Sequence, residues 1–534
     1  MQAAFVPLML ALAFGCCMSQ ASAEEPPPII IRVEHFDVTG ENPLGAAETE
    51  AVLQPFLGEY SDLEGLMAAV DALEQALRDH GYAFHRASIV PTPEGTPPTT
   101  VVLQVLTFGL GEVVVRGNQY SSEQMVRNSL PVLSTGAVPE PRELSRQLAV
   151  ANQHPRRRVA VSYRQSQEPD KLDAVANVTE QRPWGLFANL NNIGNDETGN
   201  SRLQFGGQYA NITGHDDIAT AAITLSPDNA DDVFQFGAFY QLPIYRLRGW
   251  LNAFYVRSDV DVGAVQDAFD VSGAGHFTGL SFKHQLLNLG RYRHSVTLGL
   301  QDRLFDTAIS STQTGVFNPG LSSKVRSRPL SIRYDGGYLW TRTRTSLDFY
   351  LDYAHNLDFG GHNSDRDYAG FRFASDDPPD SSWKLVRFGA LATQQLPRGY
   401  SGVFRLTGQY TSETLIPGEQ IGLGGERSVR GFEERTIAGD SGLVANLELW
   451  TPQLPQLYNI RLLGFLDAGH KVINSPGIGQ LPHDTISSIG VGARWAWRDQ
   501  LQVSLDYGQP IANADGEASD RGNSKWHVSL TYRY

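Results

Sequence analysis

The chain has 534 residues, including 52 Gly, 25 Phe, 20 Tyr and 8 Trp, only two Cys, and a formal net charge of −15 at pH 7. So acidic a balance excludes nucleic acid as the natural partner, because a phosphate backbone demands clustered Lys and Arg. Both cysteines, Cys16 and Cys17, lie near the start. The rest of the chain therefore has no means of forming disulfides or thiolate metal sites.

The first segment reads as an export signal. Ala3 to Met18 is apolar, and Ala21-Ser22-Ala23 is a small-residue cleavage site before Glu24, although Lys and Arg are missing from the n-region. Phe14 stands two before Cys16, where lipidation needs a small residue. Residues 1–23 are thus expected to be a signal peptide. No later run reaches the ~18 apolar residues of a spanning helix.

Residues 24–107 are expected to form a first α+β module of order β-α-α-β-β. Ile29 to Val38 reads as a strand and Ala46 to Leu57 as a helix. Asp62 to His80 reads as a second helix, with Leu63, Leu66, Met67, Val70, Leu73 and Leu77 at helical spacing on one face. Gly81 stops it. Phe84 to Val90 and Thr99 to Leu106 read as paired strands. Residues 108–182 repeat the order: a strand at 111–115, helices at 122–130 and 140–151, then strands at 158–163 and 172–178.

From Pro183 the texture changes to sixteen alternating segments, starting near 184, 201, 217, 233, 248, 275, 293, 328, 343, 383, 400, 440, 459, 486, 500 and 525. The 351 residues from 184 to 534 give about 22 per strand, enough for a tilted membrane strand and its share of connections. In the last segment Trp526, Val528, Leu530, Tyr532 and Tyr534 share one face, opposite Lys525, His527, Ser529, Thr531 and Arg533. Odd connections are mostly long and polar (306–327, 355–382, 414–439, 509–524) and even ones short (243–247, 288–292, 396–399, 498–499). That asymmetry predicts an all-β, sixteen-stranded transmembrane barrel over 183–534, with its lipid face apolar and its lumen polar.

Two motifs sit late in the barrel. Val429-Arg430-Gly431-Phe432 lies in a Gly-rich loop, the sixth long connection. On the thirteenth strand, Gly464-Phe465-Leu466-Asp467-Ala468-Gly469 puts Phe465, Asp467 and Gly469 on one face, opposite Leu462, Gly464, Leu466 and Ala468. With the apolar face toward lipid, Asp467 points into the lumen, where an arginine could meet it through two parallel hydrogen bonds.

These residues resemble the paired signatures of the superfamily that inserts or secretes proteins through outer-membrane barrels. Over the whole chain after the signal, the pattern resembles the two-partner secretion transporters: two POTRA-like modules, sixteen strands, an arginine loop between strands eleven and twelve, and the aromatic Tyr534 last. Asn152-Gln153-His154-Pro155-Arg156 looks like the family's Asn-x-x-Pro-Arg turn. The resemblance implies an outer-membrane pore with periplasmic modules, exporting a large β-helical partner protein. It further implies that Arg430 pairs with Asp467, and that Tyr534 is the C-terminal signal read by the barrel-assembly machinery. Many members carry a plug helix before the first module. Only about six residues separate the signal from the first strand here, so none is expected. By itself, Arg156 to Arg158 reads as a solvated basic turn or one near anionic lipid.

No catalytic residue, metal site or cofactor is expected. Gly439-Asp440-Ser441-Gly442 matches a protease nucleophile motif, but no histidine in a matching context accompanies it and Ser441 opens a membrane strand. Gly-x-Ser-x-Gly and the His-based metal motifs are absent. The Asp-rich stretches at 365–367 and 376–377 read as solvated loops. Other readings are an insertase of the same superfamily, which usually carries three or more modules; a diffusion porin or receptor, which needs no docking module; and an outer-membrane phospholipase, which needs a nucleophile–base pair.

Overall fold

Alternation of apolar and polar residues decides most of this chain's structure, and the computed structural model converts it into one closed sheet. The structure describes residues 30–534, except 92, 94–96, 195–198, 229–232, 260–261, 266–268, 273, 309–321, 370–376, 478–479, 499 and 513–523. The expected signal peptide, the start of the first strand, and Asp376 and Asp499 lie outside the described residues.

Two compact units emerge, divided after Phe108. In the first, His35–Gly40, Thr100–Thr107 and His85–Val90 form a sheet in that order, the first pair parallel and the second antiparallel. Asp62 caps helix Leu63–Asp79 by accepting from the Gly65 amide at 3.0 Å. Gly81, at φ +95°, ends it. Leu66, Val70, Leu73 and Leu77 are buried with Ala69, but Leu63 and Met67 are 58% and 44% exposed. The apolar stripe is therefore narrower than the periodicity suggested, because a three-stranded sheet covers only part of a helix. The first strand is also broken: Ile31–Val33 leaves the main sheet to pair with Gly58–Tyr60.

The second unit begins with a similar layer, Gly109–Arg116, Lys171–Glu180 and Arg157–Gln165, under helices Glu123–Ser129 and Pro141–Ala151. The barrel follows. Its strands are β1 (Trp184–Asn191), β2 (Arg202–Ala210), β3 (Ile218–Leu225), β4 (Phe234–Ile244), β5 (Gly249–Ser258), β6 (Gly275–Gln285), β7 (Tyr292–Ala308), β8 (Ser322–Ser327 continuing as Pro329–Trp340) and β9 (Thr345–Asn356). They continue as β10 (Lys384–Gln395), β11 (Ser401–Tyr410), β12 (Ser441–Trp450), β13 (Arg461–Val472), β14 (His483–Trp497), β15 (Leu501–Ala512) and β16 (Lys525–Arg533). Every neighbour is antiparallel, and β16 closes on β1.

Sixteen strands are thus present where the sequence put them. The one interruption is at Arg328, which separates the two segments of β8. Both segments pair with β7, through 303–308 and 292–300. Large apolar side chains such as Leu186, Phe205, Leu280, Leu298, Leu351, Leu447, Leu466 and Trp526 are exposed on the outer face. On a soluble protein such a belt would be an aggregation hazard; around a barrel it is the surface lipid covers.

Candidate functional site in the barrel lumen

The sixth long connection, 411–440, folds inward. Ile421–Leu423 pairs with Ile437–Gly439 as a two-stranded ribbon. Leu423, Val429, Phe432 and Ile437 pack with Val444 of β12 and Ile486 of β14 in a small buried cluster. That apolar contact seats the loop tip against the wall.

The tip's arginine is the electrostatic centre. Arg430 Nε donates to Asp467 Oδ2 at 2.8 Å and Nη2 to Oδ1 at 2.9 Å, a parallel two-bond fork. The Arg430 backbone amide also donates to Asp467 Oδ2 at 3.1 Å. Glu448 on β12 lies 2.8 Å from Nη2, and Asp506 on β15 lies 3.6 Å from Nη1. The guanidinium carbon sits 3.6 Å from the centre of the Phe465 ring. Asn446 completes the Asp467 shell with a 2.9 Å bond and ties the Ser428 carbonyl at 2.6 Å. Arg430 is 4% exposed and Asp467 2%, so the pair is screened from bulk water.

Glycines permit this approach. Gly431 has φ +91°, and a Cβ there would meet the Gly508 backbone of β15 at 2.8 Å. A Cβ on Gly469 would strike Leu423 at 2.7 Å and Val429 at 3.0 Å. The Gly431 amide donates to His527 Nε2 of β16 at 2.9 Å. The structure thus brings all four loop residues and all three strand residues singled out in the sequence into one contact, from β12 to β16.

A closed barrel, a polar lumen and an internal loop clamped by this fork delimit the comparison. The family described as "Haemolysin secretion/activation protein ShlB/FhaC/HecB" matches residues 173–495, and "POTRA domain, ShlB-type" matches 31–106. The chain belongs to the haemolysin secretion/activation family.

Curated relatives of this family member include the outer membrane transporter CdiB of Dickeya dadantii, 24% identical over 478 residues, covering 88% of this chain and 81% of the relative. The heme/hemopexin transporter protein HuxB of Haemophilus influenzae is 20% identical over 483 residues, covering 87% and 81%. The structure of CdiB from Escherichia coli superposes with TM-score 0.77 at 18% identity, covering 97% of this chain and 92% of that one; CdiB from Acinetobacter baumannii gives 0.66 at 16%, covering 96% and 91%. Family and fold together make this protein a two-partner secretion pore of the outer membrane that handles a secreted partner protein.

In this transporter the run Arg156 to Arg158 is solvated only in part: Arg158 is exposed and Arg156 half-buried, but Arg157 turns inward. Arg157 is 1% exposed. It forks onto Asp216, in the turn between β2 and β3, with Nη1–Oδ1 at 2.9 Å and a second bond from Nη2 to Oδ2. Tyr245, in the β4–β5 turn, donates its hydroxyl to the same carboxylate and accepts from Arg157 at 3.1 Å. Helix Pro141–Ala151 rests on the same turns: Trp250 Nε1 donates to the Val150 carbonyl at 3.1 Å, Arg248 reaches Glu143 at 2.7 Å, and Asn288 reaches Ser145 at 2.8 Å. The Asn-x-x-Pro-Arg turn prepares this junction. Asn152 bonds the Val159 amide and carbonyl at 2.7 and 2.9 Å and so aims the strand that carries Arg157. Nothing in the sequence singles out Asp216. The Asp-rich stretch at 365–367 is mostly exposed, as expected, although Asp365 accepts from the Ser381 amide at 3.0 Å and hydroxyl at 2.6 Å.

Tyr534 lies at the barrel seam, which runs over only Ser529–Arg533 against 187–191. Its amide and carbonyl extend that ladder to Leu186, at 2.8 and 3.2 Å. Its ring lies 5.6 Å from that of Trp184, with Arg182 over both. Deleting Tyr534 is expected to lower the amount of folded barrel while export per folded molecule stays constant. Surface labelling alongside secreted client measures both; unchanged barrel abundance would refute an assembly role.

Proposed function

We propose that the modules capture the unfolded partner in the periplasm, and that the partner then threads the lumen as the loop bearing Arg430 shifts. The observation that carries this reading is the loop itself: a long connection folded into the lumen, its tip held by the concentrated set of bonds at Arg430 rather than by continuous sheet pairing. Such a tie can release as a unit. The three-stranded sheet of the first module leaves His35–Gly40 at one edge, where an extended segment could add as a further strand. The drive would come from folding of the partner outside, with no catalytic residue involved. Lipid covers the outer belt, and the barrel-assembly machinery would read the C-terminal strand ending in Tyr534.

Deleting residues 29–107 tests this reading. Export is expected to be abolished while heat-modifiable barrel persists in the outer membrane, because docking and membrane burial reside in different segments. Efficient export by the truncated barrel would remove the first module from the mechanism. A diffusion porin would instead keep its permeability and show no dependence on the module.

A further inference from the structure

We infer that Glu419 is a second positioning residue of the lumen loop, holding it to a different arc of the wall from Arg430, so that the loop is tied at two places. The inference rests on the transport reading above.

Glu419 lies eleven residues before Arg430 in the chain and is 1% exposed. Its Oε2 accepts from Arg303 Nη1 of β7 at 2.7 Å and from Arg387 Nη2 of β10 at 3.3 Å. Its Oε1 accepts from the Ser327 hydroxyl of β8 at 2.6 Å. Gln409 of β11 donates to the Glu419 carbonyl at 2.9 Å. One loop carboxylate thus engages β7, β8 and β10, whereas Arg430 engages β12, β13 and β15. In the ring of sixteen strands these are two separate arcs of wall, with β11 between them.

The two ties have opposite polarity. At one end a loop guanidinium meets wall carboxylates; at the other a loop carboxylate meets wall guanidiniums. Removing Glu419 leaves Arg303 and Arg387 facing the lumen without their loop carboxylate. The loop would then swing about the Arg430 tie and open the side of the pore bounded by β7 to β10. The Arg430 tie alone would clamp the tip but leave that side unsealed.

Purified Glu419→Gln barrel in planar lipid bilayers tests this without any client. The substitution keeps the shape and removes the charge that both guanidiniums bind. Open-state occupancy is expected to rise about tenfold, the loss of one buried charged hydrogen-bond set. Glu419→Asp, which keeps the charge, should stay closer to wild type. Arg303→Gln approaches the same contact from the wall and should open the pore in the same direction, keeping the test intact if Glu419→Gln folds poorly. Heat-modifiability checks that each barrel is closed. Wild-type occupancy in folded Glu419→Gln and Arg303→Gln, or equal opening in Glu419→Asp and Glu419→Gln, would overturn the second tie. Because no partner protein enters the assay, that failure would leave the transport reading untouched.

Discussion

Arg430→Ala should nearly abolish export while leaving folded barrel in the membrane. The substitution removes the loop cation that meets Asp467, Glu448 and Asp506. Arg494 serves Asp506 at 2.6 Å and cannot reach around to replace both bonds of the fork. Removing one partner of a buried pair costs about 3–5 kcal/mol, chiefly because the other charge stays buried and unpaired. Each 1.4 kcal/mol is tenfold in population, so a tip seated more than ~99% of the time would become mostly unseated. The sheet pairing of β12 to β15 does not pass through Arg430, so the barrel should survive. Arg430→Lys should fall between the two, since an ammonium cannot make the parallel fork or stack as well on Phe465. Secreted partner and heat-modifiable barrel, measured in the same cells, decide the matter. Export at the wild-type level in Arg430→Ala would sink the idea that this tie governs transport.

The parts of this structure legible in the sequence are those written by local periodicity. Period-two alternation gave the strands, because lipid on one side and water on the other impose opposite chemistry on successive residues. The inward direction of Asp467 followed from the same rule. The parts not legible depend on contacts far apart in sequence. Arg157 sits in a run of three arginines, which ordinarily means a solvated turn, and its carboxylate is 59 residues away. Glu419 follows Pro417-Gly418, with nothing local to show that its carboxylate reaches β7 and β10. The break in β8 at Arg328 likewise has a tertiary cause, since Arg328 reaches Asp302 of β7 at 2.8 Å and its backbone amide bonds Asn356 of β9. Leu63 and Met67 fit the helical stripe, yet the small sheet ends before it reaches them.

The junction at Arg157 yields the second large effect, and its pH dependence gives the effect a sign. Arg157→Ala leaves Asp216, 2% exposed, without its counter-ion. A loss of about 3–5 kcal/mol is expected at neutral pH. Tyr245 cannot substitute, because burial pushes its hydroxyl well above the usual phenol range and keeps it neutral. His154 lies 3.7 Å from Asp216 but is held neutral: burial, aided by the Arg157 charge, lowers its pKa to about 4 against the pull of Asp216. In the wild type the folded protein therefore binds fewer protons than the unfolded chain between pH 6.5 and about 4, so stability declines as pH falls through that window. In Arg157→Ala the repulsion is gone and the attraction of Asp216 remains. His154 should then protonate more readily, although burial, the largest cause, still lowers its pKa. Acidification from pH 7.5 to about 5.5 is thus expected to weaken the junction less steeply in the variant than in the wild type. Hydrogen exchange of residues 211–217 and 245–250 reads this directly. If exchange in the variant rose with acid as steeply as it does in the wild type, or if Arg157→Ala left exchange unchanged at pH 7.5, Arg157 would not be what holds the second module to the barrel turns.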